Sequence, residues 1–379
     1  MTSLGIDCGQ LRHRFCLLEE SGRVLVEGAF VEDRSGLAAF RAQVSAHPAP
    51  GVVVMEASGA CWQNLQAELT SWGWSVCAVD PQRAAQFARL HHPRHKTDKA
   101  DARSLAQLGL TAPAGSFAAG APSTWAQGLA RAIDQRAGLL NQLHSLLLVA
   151  NPALLACRWN LGTPRSLAVL RAYPTTRELR RARALAQVRF GVRHRVGEKA
   201  ATALRQAARE ALCGALNEAH AEQVSFLVEQ IAAWDREIAR LQQALRARLP
   251  EAQRLASITG VGERTALLVY ACVPFAQLAS PKQAAAYVGL HPHLFQSGAH
   301  QWSRLSKRGD RVARTALYRV ALPAVQTNPR LRAFYQRLLE MGKAKKQALC
   351  AVAHKIVRIC FALVKYQSTY SLNYQPVRA

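Results

Sequence analysis

The feature that most narrows the fold is the order of apolar runs in the first hundred residues. LGID (4–7), RFCLLE (14–19) and VLVEGAFV (24–31) have the composition of strands, and Glu20, Ser21 and Gly22 supply a turn between the last two. Ser35 opens a helical pattern through Leu37, Phe40 and Val44. GVVVMEA (51–57) is a short apolar run of the buried-strand kind, a helix is expected from Trp62 to Trp72, and WSVCAVD (74–80) is a further strand. Pro81 suits the first turn of the next helix, where its missing N–H costs nothing. The order is three strands, helix, strand, helix, strand, helix.

That is the element order of an RNase H-like α/β domain, whose first and fourth strands lie side by side and parallel. Asp7 closes the first strand and Glu56 the fourth, so their carboxylates are expected at one end of the sheet. KTDKADA (96–102) adds Asp98 and Asp101, at i and i+3 on an expected helix and therefore on one face. Four carboxylates that meet repel one another unless divalent cations sit among them, and Mg²⁺, which prefers oxygen ligands, is the natural occupant. Two such ions polarise a phosphodiester and steady its attacking and leaving oxygens. Each acid has a plainer use: Asp7 capping a turn, Glu56 as an exposed strand end, Asp98 and Asp101 as an acidic pair favoured by the helix dipole. Taken together on this element order, the four favour the metal. His91, His92 and His95 sit in a basic loop and read as phosphate-contacting or solvated groups rather than ligands.

Lys and Arg number 49 against 24 Asp and Glu, a formal charge of +25, which predicts attraction to a polyanion. The excess is concentrated: residues 301–350 carry 12 basic and 2 acidic side chains, and residues 171–200 carry 9 and 2. Nucleic acid is the first candidate, ahead of a merely solvated surface, which interleaves both signs. Nine cysteines without a CxxC pair fit neither a disulfide framework nor a zinc ribbon and read as thiols in a reducing cytoplasm. MTSLGIDCG has no secretory character, and the longest uncharged stretch, 137–157, holds Asn141, Gln142, His144, Asn151 and Pro152, so a soluble, nucleoid-associated protein is expected rather than a membrane one.

From Ser123 to about Pro250 the pattern is helical. Val224, Leu227, Ile231, Trp234, Ile238, Leu241 and Leu245 alternate spacings of three and four, a coiled-coil seam, and Leu129, Ile133, Leu140, Leu143 and Leu147 share its register with Arg136 interrupting. The two segments suit either an intramolecular antiparallel hairpin or a contact between protomers. Beyond Glu251 the chain is expected to be mainly helical. ITGVGERTALLVYA (258–271) places Gly260 and Gly262 ahead of a helix, where backbone N–H groups can meet a phosphate or simply cap the helix. HLFQSGAHQWSRLSKRGDRVARTALY (293–318) offers Ser297 before Gly298, then Arg304, Lys307, Arg308, Arg311 and Arg314. A serine attacks phosphorus well only when developing charge is stabilised, which clustered guanidinium groups and Mg²⁺ can do. A Ser-Gly turn ahead of a basic helix is the bland alternative, and Ser303 and Ser306 are rival nucleophiles on chemistry alone.

Asp7 in GIDCG, Glu56 in MEASG, KTDKADA, ITGVGERTA (258–266) and QSG followed by RLSKRGD together resemble the DEDD transposases of the IS110 insertion-sequence family over nearly the whole chain. The resemblance implies a RuvC-like N-terminal fold, a metal-binding tetrad at Asp7, Glu56, Asp98 and Asp101, and a nucleophilic serine at Ser297. It further implies recombination of donor and target DNA through a phosphoserine link, directed by a structured non-coding guide RNA. Assembly as a homo-oligomer, dimer or tetramer, in which carboxylate and serine sites of different protomers combine, is implied as well. The Arg-rich stretch 151–215 departs from the family pattern.

The expected organisation is a catalytic domain at 1–122, a helical coiled-coil region with a basic insertion at 123–250, and a C-terminal transposase domain at 251–379. Lys96, Lys99, Gly260, Gly262, Arg304, Lys307, Arg308, Arg311 and Arg314 are the expected nucleic-acid contacts. A metal-dependent junction resolvase or nuclease needs only the carboxylates and leaves Ser297 without a task. A non-catalytic nucleic-acid-binding scaffold needs neither. GID also resembles the first phosphate loop of sugar kinases and actin-like ATPases, but Cys8, Gly9 and Gln10 follow where that loop wants Gly-Thr, and a charge of +25 is foreign to a metabolite kinase.

Overall fold

The structure, a computed structural model, describes residues 1–56, 62–79, 81–91, 98–111, 124–212, 217–297, 300–306 and 309–372. It divides into two compact units, Thr124–Pro250 forming one and the segments Met1–Ser123 and Glu251–Ala379 the other.

The N-terminal segment is built on β1 (Thr2–Asp7), β2 (Arg12–Glu19), β3 (Val24–Val31), α1 (Arg34–Ser45), β4 (Val52–Glu56), α2 (Trp62–Ser71), β5 (Val76–Val79), α3 (Pro81–His91) and α4 (Asp98–Thr111). The strand order is β3-β2-β1-β4-β5. β1 to β3 form an antiparallel meander, while β4 runs parallel to β1 and β5 parallel to β4. This is the RNase H-like arrangement. The turn after β2 closes with Gly22 at φ +85°, a conformation that glycine adopts without strain.

Side-chain alternation divides the sheet into two faces. Leu4, Ile6, Phe15, Leu17, Val53 and Met55 join Phe40, Val44, Trp62, Leu65 and Leu69 in a core under α1 and α2. Cys16, Leu18, Val52, Val54 and Val79 meet Ala102, Leu105, Ala106 and Leu108 of α4 on the opposite face.

The unit 124–250 contains α5 (Thr124–Ala150), α6 (Pro152–Ala156), α7 (Pro164–Ala172), α8 (Thr176–Arg181), α9 (Glu198–Glu210) and α10 (Asn217–Arg248). Within this chain α5 and α10 pack against each other and run antiparallel: the backbone at Gly128 faces Leu241, and Arg136 Nε lies 2.5 Å from Asp235 Oδ1. Arg136 also donates to the Gly162 carbonyl at 2.9 Å, so the interruption of the leucine seam is a polar crossbrace. Leu143, Leu147, Val224, Val228 and Ile231 are fully buried at the other end of the pair.

The C-terminal segment holds α11 (Gln253–Ala256), α12 (Glu263–Cys272), α13 (Pro281–Tyr287), β6 (Pro292–Ser297), β7 (His300–Leu305), α14 (Arg311–Thr327), α15 (Pro329–Glu340) and α16 (Lys345–Lys365). Ser280, Asp310 and Asn328 cap α13, α14 and α15 through their side chains, each accepting backbone N–H bonds of the first turn. Among the described residues only α16 is long and apolar enough to cross a membrane, and its Ala348, Val352, Ile356 and Cys360 are instead buried among α11, α13, α14 and α15.

Candidate active site and nucleic-acid interface

Asp7 is the last residue of β1 and Glu56 the last of β4, and Ile6 pairs with Met55 immediately before them. Because Leu4 and Ile6 point into the α1/α2 core, Ser3, Gly5 and Asp7 take the α4 face; the same alternation assigns Val52, Val54 and Glu56 to it. α4 lies hard against β1 there. A Cβ added at Gly5 would collide with the Ala102 carbonyl oxygen and the Ala106 amide nitrogen, and one at Gly109 would run into Ser3 Oγ and Val54 Cγ2. The helix therefore runs antiparallel to β1, with its N-terminus toward the Asp7 end.

A strand rises about 3.3 Å per residue and a helix about 1.5 Å, so the two-residue step from Gly5 to Asp7 corresponds to about four residues back along α4. That step reaches its first turn, which holds Asp98 and Asp101. All four acids thus stand at one edge and on one face of the sheet, Asp98 exposed and the other three half-buried. Four carboxylates offer only oxygen, the donor set of a hard cation rather than of zinc. Among the described residues, no three His, Cys, Asp or Glu side chains lie close enough together to hold a metal ion.

Lys99, expected at nucleic acid, pairs with Glu27 on β3, Nζ to Oε1 at 2.5 Å, and Arg103 joins the same carboxylate at 3.2 Å. The Lys99 hydrogen bond holds the Glu27 carboxyl below its ordinary range. The two basic residues tie α4 to β3 on the flank of the acidic edge.

In the C-terminal segment, Ser297 ends β6 and pairs with His300 of β7, Phe295 opposing Trp302 and His293 opposing Arg304. The Gly298 of the expected Ser-Gly turn lies outside the described residues; β7 follows, and the basic helix starts only at Arg311. The side chains of Ser297, Ser303 and Arg304, and all of Lys96, Lys307 and Arg308, lie outside the described residues. Ser306 is half-buried, its amide donating to the His291 carbonyl at 3.0 Å.

Two of the expected contacts have partners within the fold. Arg314 is half-buried and donates to the Val288 and Gly309 carbonyls at 3.2 and 3.3 Å, beside Asp310, whose carboxyl is pushed up by burial. Gly260 has φ +93°, and a Cβ there would come within 2.5 Å of Ala324 Cα, so its turn is fixed by packing on α14. Gly262 precedes α12 at the N-cap position, and Arg311 is exposed at the start of α14.

A basic face on α15 and α16 escaped the sequence reading. Lys355 Nζ sits 4.4 Å from the centre of the Phe334 ring, with Arg337 over the same ring at 5.5 Å. Burial, and then Arg337, Arg330 and Arg358, depress the Lys355 pKa, and burial with Arg358 and His291 depresses that of His354. Such crowded cations are relieved by an anion. The signal was present as like charges on two helices, but only their antiparallel packing shows that they share a face.

Residues 4–152 match a family profile described as a transposase, of the DEDD IS110 kind, and residues 252–336 match the profile "Transposase IS116/IS110/IS902 family". Similar proteins include a pilin gene-inverting protein of Moraxella bovis, 33% identical over 30% of this chain and 37% of that protein. Another is the transposase for insertion sequence element IS1111A of Coxiella burnetii, 34% identical over 32% of this chain and 34% of that protein. The chain thus spans about a third of the length of the curated relatives it matches. A solved structure of T. thermophilus RuvC in complex with a Holliday junction substrate aligns with 28% of this chain and 90% of that one, at 17% identity and a TM-score of 0.21. The two profiles together leave only the middle region and the ends unmatched. The chain belongs to the IS110 family of insertion-sequence transposases.

Proposed function

We propose that this protein is a DNA transposase that cuts and rejoins donor and target strands with Ser297 as nucleophile, guided by a structured RNA and working as a homo-oligomer. The observation that supports this reading is the close seating of α4 on Gly5, with Asp98 and Asp101 in the first turn of that helix and Asp7 and Glu56 at the ends of β1 and β4. Those four residues would hold divalent cations, Mg²⁺ being suited to an all-carboxylate set, and the bound metal would supply charge stabilisation at the phosphodiester. In the chemical step Ser297 Oγ forms a bond to phosphorus as the phosphorus–oxygen bond to the deoxyribose breaks. The serine proton leaves, and the released sugar oxygen takes up a proton. The phosphoserine bond keeps the energy for rejoining, so exchange needs no outside energy source. Exposed Arg311 and the basic face of Arg330, Arg337, Lys355 and Arg358 offer phosphate contacts, and the charge of +25 favours RNA and DNA alike.

Denaturing electrophoresis with end-labelled DNA tests the proposal. The native protein with Mg²⁺ and its RNA is expected to trap a covalent protein–DNA species. Ser297→Ala should lose that species while retaining nucleic-acid binding, since it removes a hydroxyl and no charge. Asp7→Ala, Glu56→Ala, Asp98→Ala and Asp101→Ala should each abolish strand exchange. If the adduct survives Ser297→Ala and disappears in Ser303→Ala or Ser306→Ala, the nucleophile is misassigned. Cleavage that no serine substitution alters favours a nuclease using water.

A further inference from the structure

The basic middle region, 151–215, contains a cavity that the carboxylate and serine chemistry does not use. Its first wall is a tightly built loop between α6 and α7. Asn160 Oδ1 accepts the Gly162 N–H at 2.9 Å, the Asn160 carbonyl accepts the Thr163 and Ser166 hydroxyls at 2.9 and 2.8 Å, and Thr163 caps α7 ahead of Pro164. That network holds Trp159, over whose ring the Arg165 guanidinium stacks at 3.7 Å. Arg165 Nε is buried without a hydrogen-bond partner. The second wall is a small hairpin in which Arg189 bridges Arg195 and the Phe190 amide donates to the His194 carbonyl at 3.0 Å. The Phe190 and His194 rings stand 5.8 Å apart, tilted by 31°. The space between the walls is about 610 Å³ and open to solvent.

The lining is unusual for either a core or a solvated surface. Three aromatic rings and a stacked guanidinium present flat faces, while Arg189, Arg193 and Arg195 stand exposed on the hairpin beside them. Flat faces ask for a flat partner, and the hairpin arginines for anions strung along a chain. A nucleobase with its phosphates meets both demands, provided that it is unstacked, because a duplex hides its base faces. An aliphatic or peptide ligand leaves the arginines unanswered, and a duplex leaves the rings unanswered.

We propose that this cavity binds an unstacked base of a single-stranded nucleic acid, stacked against Trp159 or Phe190, with the adjoining phosphates along the arginine hairpin. The inference rests on nucleic acid being the partner, and not on the roles of the carboxylates or of Ser297.

The test uses the full-length protein with 2-aminopurine oligonucleotides as RNA, as single-stranded DNA and as duplex. Stacking should quench the probe in single strands, and photocrosslinking of 4-thiouridine RNA should map to peptides bearing Trp159 or Phe190. Base–aromatic stacking contributes about 1–3 kcal/mol, so Trp159→Ala or Phe190→Ala should weaken single-strand binding about 5- to 150-fold and leave duplex binding unchanged. Trp159→Phe, which keeps a stacking face, should restore most of the affinity, and Arg165→Lys, which keeps only the charge, should not. Equal losses with RNA and DNA support a general single-strand site, whereas a loss confined to RNA supports a guide-strand site. Single-strand binding that is unaltered in Trp159→Ala, or crosslinks confined to other peptides, overturns the pocket while leaving the transposase reading in place. If the native protein binds no strand at all, both fall.

Discussion

The sheet segment and the unit 124–250 are held in register by opposite means. In the helical unit, position is set by what the side chains fill: Leu143, Leu147, Val224, Val228 and Ile231 are wholly buried between helices. Where the sheet meets α4, position is set by what is missing. Gly5 and Gly109 let the helix backbone descend onto β1 and β4, and any Cβ at either place meets atoms already there. Filled volume tolerates approximate spacing, whereas backbone contact does not. The second arrangement lies in the segment that bears Asp7, Glu56, Asp98 and Asp101, and the first lies in a unit that carries none of them.

The largest expected effect tests the filled half of this contrast. Leu147→Ala removes a fully buried side chain from the α5/α10 interface and should destabilise the protein by about 2–5 kcal/mol, depending on how far the site collapses. Urea denaturation followed by circular dichroism reads it directly. A loss under about 1 kcal/mol would mean that the interface repacks freely and that its leucines do not set the register.

Gly5→Ala tests the other half with the smallest possible side chain. Overpacking costs about 1–3 kcal/mol, and here the colliding atoms are backbone, which cannot swing aside as a rotamer does. The stability loss should be smaller than that of Leu147→Ala but the loss of strand exchange disproportionate, because lifting α4 moves Asp98 and Asp101 away from Asp7 and Glu56. Cleavage measured on protein shown to be folded separates the two quantities. Native cleavage rates in Gly5→Ala would break the link between helix seating and chemistry.

The two mechanisms also differ in how openly the sequence announces them. Strand order, the acids at the ends of β1 and β4, and the start of α3 at Pro81 were legible because hydrophobic period and turn chemistry are local. The leucines of α5 and α10 were legible for the same reason, though not whether they met within one chain. Gly5 was not, since a glycine in a strand looks like a weakness until the atoms above it are known. The β6/β7 hairpin was missed because the Arg-rich sequence after Ser297 masks the alternation of HQWSRL. The charge of Arg314 is visible in the sequence, and its partners, two carbonyls from earlier turns, are not. Trp159 and Arg165 passed unnoticed for a related reason: their wall faces a hairpin about thirty residues onward.

The smallest effect sharpens the comparison through pH. The leucine and valine contacts of the helical unit do not titrate, but the sheet buries His13 completely, 5.0 Å from the Phe30 ring and with Nε2 3.3 Å from Glu32 Oε2. Two influences compete: burial disfavours the imidazolium, and Glu32 favours it, with burial the larger, so the pKa falls below its ordinary value. In the unfolded chain His13 takes up a proton near pH 6.5, while in the folded protein it does so only at lower pH. Between those two values the unfolded state binds more protons, so stability declines as the pH is lowered through that window and is unaffected above it. His354, depressed by burial and by Arg358 and His291, adds a decline of the same sign, so the native protein alone cannot assign the effect. Comparing the native protein with His13→Gln, which keeps a polar side chain but does not titrate, isolates it. The acid decline in urea midpoint between pH 7 and pH 5 should be shallower in His13→Gln, with little difference in slope above pH 7. A steeper decline in His13→Gln would show that the Glu32 ion pair outweighs burial, and that the sheet is held at this point by charge rather than by exclusion of water.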